Sequence, residues 1–535
     1  MKPNPLTPPT VEILDAPPAT MVRPLALVDG CAYAAAWLYV RITRHETRNR
    51  KGETVKLDPP LVETARRLFV VRQDGVTFGP GADRPLDELG LEVALPQMPH
   101  PSRTWSPAGV AAYRDGHRPD PAGVLNRVAD VVSHFVDFDR SLAGQRTMCE
   151  LVACYVLATW TLDAFNVIGY LWPNGERGSG KTVLLHCVAE MAYLGHVILA
   201  GGSYASLRDL AEYGATLAFD DAENLADPRR TETDKRSLLL AGNRRGSTVT
   251  VKELGPDNVW RTRHVNAFCP RLFSAIQLPD NVLASRAIVV PLVRTLDRAR
   301  ASIDPLDYDV WPHDRRPLID DLWALALAHL PELRDCARAV SQEARLTGRN
   351  LEPWRAILAV AMWLDRHDPA ATLRREAPLA GPYGEPERQE TGLWDRMEDL
   401  SVRYQAERPD LGSTDFTRFV FQALYVSVVF DFCDSIGVKP GAMMRDELPP
   451  EVEVPHSFEV STQQVVNHAF AVARELGVDP GRVTNHRVGR VLGRLRIQKS
   501  PRPGGQGSRR WRVTRDDLHR WTTVYNLPFP PALSP

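Results

Sequence analysis

The run Gly175-Glu176-Arg177-Gly178-Ser179-Gly180-Lys181-Thr182 satisfies every fixed position of the phosphate-loop pattern G-x-x-x-x-G-K-[ST]. In that spacing successive backbone N–H groups wrap a phosphate, the Lys181 ammonium reaches the outer phosphates of a nucleoside triphosphate, and the Thr182 hydroxyl ligates Mg2+. Further along, the apolar run Thr216-Leu217-Ala218-Phe219 ends in Asp220-Asp221-Ala222-Glu223. Two carboxylates at the tip of a buried strand suit a Walker B element. Asp220 would hold Mg2+ through water, and the next acid would polarise the attacking water. Asp221 is the candidate general base, with Glu223 the alternative if Asp221 cannot reach. An Asp-Asp turn capping the next helix is the structural alternative. These residues predict ATP and Mg2+ as ligands.

Such residues need a strand, a loop and a helix in that order. The apolar Asn166 to Trp172 precedes the loop, and the helical pattern Val183 to Val188 follows it, so the phosphate falls at a helix N-terminus. Further strands are predicted at Val197 to Ala200, Thr216 to Phe219, Pro270 to Ile276 and Ala287 to Leu292. The alternation in Ser247 to Glu253 and in Val259 to Asn266, around the turn Gly255-Pro256-Asp257-Asn258, predicts a hairpin. Lys252, Arg261 and Arg263 lie near its tip or on its face.

The chain resembles the AAA+ helicase-type ATPases of phage, plasmid and integrated-element replication modules, related to superfamily 3 helicases. The resemblance rests on the phosphate loop, on Phe219-Asp220-Asp221-Ala222-Glu223, on Asn243-Arg244-Arg245-Gly246, and on Ser274 through Leu278-Pro279-Asp280 to Ser285-Arg286-Ala287-Ile288. It covers about residues 126 to 375. It implies a homo-hexameric ring with a nucleotide at each subunit boundary, Ser274 as the sensor 1 residue that reads the γ-phosphate, and Arg286 as an arginine finger given to the neighbouring subunit. The 247–266 hairpin would line the pore and grip single-stranded DNA. Asp221 stands where most relatives have Glu. The N-terminal region is too short for the primase fused to some relatives, so no primase activity is expected, and a separate primase or other replication protein becomes a candidate partner.

At 535 residues, 44% hydrophobic and 24% charged, the chain has the composition of an ordinary globular protein with several folding units. The seven scattered cysteines form no C-x-x-C pair and predict neither disulfides nor structural zinc. The most apolar run, Leu151 to Leu162, is too short to span a bilayer. With no signal peptide in view, the expectation is a cytoplasmic protein without a membrane partner. The net charge of −1 hides a basic end: Gly481 to Arg520 holds twelve Lys/Arg against two Asp.

The expected fold class is α/β: an AAA+ P-loop ATPase core (parallel sheet flanked by helices) with a helical lid, a small N-terminal α+β domain and a C-terminal winged-helix domain. The boundaries are a disordered proline-rich tail (1–24), the N-terminal domain with at least one hairpin (25–98), a connector (99–125), the core (126–300), the lid (301–368), a helical segment with linkers (369–455) and the winged helix (456–530). In the winged helix Asn485, His486, Arg487, Arg490 and Arg494 share a helix suited to the major groove of duplex DNA, while Arg502, Arg509 and Arg510 ride the wing over phosphates. Near the N-terminus, Arg44, Arg48, Arg50 and Lys51 surround Gly52. They could touch nucleic acid, but read as a solvated loop. The function expected is an ATP-hydrolysing DNA motor, a ring-forming replicative helicase or initiator of a mobile genetic element. The alternative is a DNA-bound AAA+ ATPase switch for transposition, partition or phage defence that does not unwind.

Overall fold

Short runs such as Tyr170-Leu171-Trp172 and Leu217-Ala218-Phe219 have no polar face, so they must be buried on both sides. In the computed structural model they are central strands of a five-stranded sheet. Its order is 287–291, 170–174, 271–273, 217–219, 196–198, with every neighbouring pair parallel. The structure describes residues 18–535 except 50, 51, 96–99, 140, 199–202, 223–232, 256, 376–389, 408–415, 446, 450, 476–482, 496, 501–508, 526, 528, 531, 532, 534 and 535. Most of the proline-rich tail therefore lies outside the described residues. The chain forms two units, 1–402 and 403–535.

In the first unit the phosphate-loop helix, Lys181–Met191, packs on the sheet, and the helices Pro121–Phe135 and Gln145–Trp160 pack on that helix and on each other. Asp120 caps Pro121–Phe135 by accepting from Gly123 N at 2.6 Å, with Pro121 at the first helical position, where its missing N–H costs nothing. Helix Gln145–Trp160 is buried around nearly its whole circumference, as its mostly apolar sequence from Met148 on allows, and its one buried carboxylate, Glu150, is paired with Arg396 at 2.9 Å. The two helices expected within 314–366 are present as Arg315–Glu343 and Arg355–His367. Trp323 fastens the first of them to the core: it stacks on Trp105 at 6.1 Å between ring centroids and meets Trp160 at 5.2 Å and Tyr193 at 5.6 Å edge-on.

The region expected to be a small α+β domain differs. Among the described residues of 25–98 there is no α-helix; four antiparallel strands, Leu25–Val28, Cys31–Arg48, Thr54–Arg72 and Thr77–Phe78, are followed by a short 3-10 segment and by Glu92–Val93, which pairs in parallel with Thr20–Met21. Only the proximal halves of the two long strands hold buried residues. Burial stops midway along each, whereas the backbone pairing runs on.

The second unit packs helices Phe416–Ser435, Thr462–Glu475 and Asn485–Arg494 with a three-stranded antiparallel sheet, order 457–461, 510–514, 498–500, and closes with helix Arg515–Tyr525. Trp511 is fully buried, and its indole N–H donates to Thr462 Oγ1 at 2.9 Å. Strand Ser457–Ser461 and the last helix are additions to the expected elements.

Glu190, near the C-terminal end of the phosphate-loop helix, is buried and gathers Arg103 (2.6 Å), Arg315 (2.9 Å) and the Tyr308 hydroxyl (2.9 Å). Burial alone would raise its pKa, but the Arg103 hydrogen bond and the charges of Arg103 and Arg315 outweigh it and hold the carboxyl below its ordinary value of 4.5. A depressed folded-state pKa stabilises the protein above the unfolded value and loses that contribution as pH falls. Glu190→Gln should therefore cost about 3 kcal/mol at pH 7, since two largely buried guanidinium groups lose their counter-charge. The gap between wild type and variant, read by denaturant titration, should close as pH drops below 4.5. A gap independent of pH would refute this account.

Candidate active site

The phosphate loop follows the carboxyl end of strand 170–174. Gly178 and Gly180 have φ of +80° and +87°, left-handed values that cost a side-chain-bearing residue roughly 1 kcal/mol or more. A Cβ on Gly175 would stand 2.2 Å from the Leu292 carbonyl oxygen, so this position excludes any larger residue. Glu176, Arg177 and Gly178 are exposed on the rim of the loop, and the buried Ser179 hydroxyl has no partner among the described residues. Lys181 Nζ donates to the Gly175 and Glu176 carbonyl oxygens, both at 2.8 Å. A cation held on its own loop's carbonyls is stored where an anion's oxygens can take it over.

Three strands end beside this loop. Thr182 Oγ1 donates to Asp220 Oδ1 at 3.1 Å and lies 3.3 Å from Oδ2. Ser274 Oγ donates to the same Asp220 Oδ1, and it accepts from Asp221 N–H at 3.3 Å. Strand 271–273 lies between the phosphate-loop strand and strand 217–219, and that insertion puts Ser274 between the loop and the acids. Hydroxyl and carboxylate oxygens are the donors that Mg2+ selects. Among the described residues no group of three or more His, Cys, Asp or Glu could hold a metal; Thr182 and Asp220 offer one hydroxyl and one carboxylate, which fit Mg2+ as part of a shell completed by other oxygens. Asp221 is exposed, with its backbone at φ +53°. Strain of this kind, of order 1 kcal/mol, persists where the surroundings enforce it. Glu223 lies outside the described residues.

Arg286 is elsewhere. Ala287 pairs with Tyr170 and Pro291 with Asn174, so Arg286 stands at the amino edge of the sheet while the loop leaves the carboxyl edge. Four residue steps of strand separate them, roughly 15 Å of backbone. Its Nε donates to the buried Asn243 Oδ1 at 3.3 Å, and its Nη1 to the Val282 carbonyl oxygen. Asn243 belongs to the Asn243-Arg244-Arg245-Gly246 run, and no local signal in that run marks it as the holder of Arg286.

Neither a family model nor a curated protein matches this sequence. Solved structures with similarity include a full-length MCM homolog from Methanopyrus kandleri (15% identity, 70% of this chain and 77% of that one, TM-score 0.30). Others are the C-terminal region of NrS-1 in an apo form (9%, 79% and 80%, TM-score 0.30) and Drosophila ORC bound to DNA (14%, 79% and 95%, TM-score 0.16). Likenesses at this level define neither family nor activity, and the chemistry rests on the chain's own residues.

The hairpin is present as Thr248–Leu254 paired with Trp260–Asn266. Its cations are unequal. Arg263 is ion-paired with Glu253 and with Glu212 from helix Tyr204–Glu212, and Arg261 with Asp257. Lys252 is exposed without a carboxylate partner among the described residues, and Leu254 and Trp260 face each other at the tip, 52% and 64% exposed. In the second unit Val488, Val491 and Leu492 bury one face of helix Asn485–Arg494, and Asn485, His486, Arg487 and Arg490 are exposed. The Asn485 amide donates to Gln463 Oε1 at 2.8 Å. Arg509 and Arg510 are exposed beside the sheet; Arg502 and the Arg494 side chain lie outside the described residues.

Proposed function

We propose that this chain is an ATP-hydrolysing DNA motor of the AAA+ type, a ring-forming replicative helicase or initiator of a mobile genetic element. The observation that carries the reading is the meeting of Thr182, Asp220 and Ser274 beside Lys181 at one edge of the parallel sheet, with Arg286 held at the other. In this reading Lys181 exchanges its two carbonyl partners for the outer phosphate oxygens. Thr182 and Asp220 would hold Mg2+, whose charge would offset that of the phosphates. Ser274 orients Asp220 and senses the γ-phosphate, and Asp221, or Glu223, accepts the proton of the water that attacks phosphorus as ADP leaves. Each site is completed by Arg286 from the next subunit, which makes the assembly a head-to-tail ring, here taken as a homo-hexamer.

DNA contact falls to two places in this reading. Lys252 and Trp260 at the hairpin tip supply a cation and a stacking surface for a single strand in the pore. The second unit acts as a winged helix on duplex, with Arg487 and Arg490 in the groove and Arg509 and Arg510 over phosphates. One observation favours a second reading, an assembly switch that does not unwind: two of the three hairpin cations are already neutralised by Asp257, Glu212 and Glu253. Steady-state hydrolysis with and without single strand, beside unwinding of a forked duplex, separates the two. The motor predicts stimulated hydrolysis and strand displacement. Hydrolysis indifferent to DNA with no displacement would leave the switch.

A further inference from the structure

The two long N-terminal strands pair from Tyr33–Arg72 out to Arg48–Thr54, with one irregularity between Arg44 and Glu46. Beyond Ile42 none of the described residues of the strands is buried: 43–49, 52–56, 58, 59 and 61–64 are exposed, and Leu57 and Pro60 are half-buried. From Val40 to Asn49 the ribbon projects roughly 30 Å. A bare two-stranded ribbon is marginally stable and offers open strand edges, so its persistence calls for a partner.

Charge identifies the partner's class. Residues 39–67 hold eight Lys/Arg against four Asp/Glu, in a chain whose totals are 65 and 66. Glu63 neutralises Arg44 and Arg67 on one face. On the opposite face Tyr39, 69% exposed, carries the Arg66 guanidinium over its ring, and Arg41 follows two residues on. Arg41 and Arg48 have no carboxylate partner among the described residues, and Lys56, though Glu46 stands across the ladder from it, forms no ion pair there. Leu61 and Val62 are exposed on opposite faces, so the ribbon has no continuous apolar stripe to seat a protein. A two-stranded ribbon fits the major groove of B-form DNA, about 12 Å wide, and not the deep narrow groove of duplex RNA.

We propose that this ribbon is a duplex-DNA-binding arm in which Arg41, Arg48 and Lys56 contact backbone phosphates. The site is separate from the hairpin and from the second unit, and it does not depend on the ATPase reading. The test is the affinity of the full chain, without nucleotide, for a mixed-sequence DNA duplex over a range of salt. Arg41→Gln/Arg48→Gln/Lys56→Gln should make the slope of log K against log salt shallower by nearly three, about 0.9 for each phosphate that is no longer neutralised. It should also weaken binding at least ~tenfold at low salt. Thr64→Glu, which sets a carboxylate opposite Arg41, should remove about one unit of slope, and it decides the matter should the triple variant fail to fold. Slopes and affinities equal to wild type would overturn the arm. So would an unchanged slope with altered assembly mass, which would make the ribbon an interface between copies.

Discussion

Lys181→Ala should lower ATP turnover by roughly 10²–10³, the cost of removing one preorganised charge from the oxygens that gain negative charge in the transition state. The structure gives a specific reason to expect loss of chemistry without loss of fold. Lys181 makes only two hydrogen bonds among the described residues, both to carbonyls of its own loop, at Gly175 and Glu176. The loop's shape is held independently by the positive φ of Gly178 and Gly180 and by the packing of Gly175 against the Leu292 carbonyl. The variant should therefore keep its melting temperature within a few degrees, and bind nucleotide more weakly. Phosphate release against ATP concentration, with thermal unfolding alongside, is the measurement. Turnover within threefold of wild type would remove nucleotide hydrolysis from the description of this loop.

The proposed nucleotide site is legible in the sequence because its chemistry needs fixed residue types at fixed spacing. Glycines at 178 and 180 and carboxylates at the tip of an apolar strand are local signals. What is not legible depends on partners far along the chain. Arg271 opens a core strand and is fully buried, with hydrogen bonds to the Tyr170 hydroxyl and to the Leu239 and Ala267 carbonyls. Room for its guanidinium exists because residue 242 is glycine; a Cβ there would sit 1.7 Å from Arg271 Nη1. Arg263 has the local sequence of a cation free for DNA, yet Glu212, 51 residues away, stands beside it. The outer N-terminal ribbon is hidden for a different reason: solvated on both faces, it carries no alternation, and periodicity reports burial, not backbone pairing. Strand Ser457–Ser461 buries only Phe458 and Val460, too short an alternation to stand out between Pro455 and the helix that starts at Thr462.

Arg286→Ala should cost 10³–10⁵ in turnover while leaving nucleotide affinity nearly unchanged, as an arginine finger acts on the transferring phosphoryl group and not on the bound ground state. Geometry excludes action on its own nucleotide. Arg286 precedes Ala287 at the amino edge, and the phosphate loop leaves the carboxyl edge beyond Asn174; a side chain anchored on Asn243 and Val282 does not cross the sheet. A finger at this position would have to act on the nucleotide of another subunit. Mixing decides this: Lys181→Ala subunits have a dead pocket and an intact Arg286, and Arg286→Ala subunits the reverse. Each alone should retain only its residual turnover, yet random assembly at equal ratio leaves roughly one interface in four with both parts intact. Activity should appear on mixing, peak near equal amounts and fall on either side. Mass measurement must show that the two variants co-assemble. Co-assembled mixtures that stay inactive at every ratio would return Arg286 to the role of a surface residue held by Asn243.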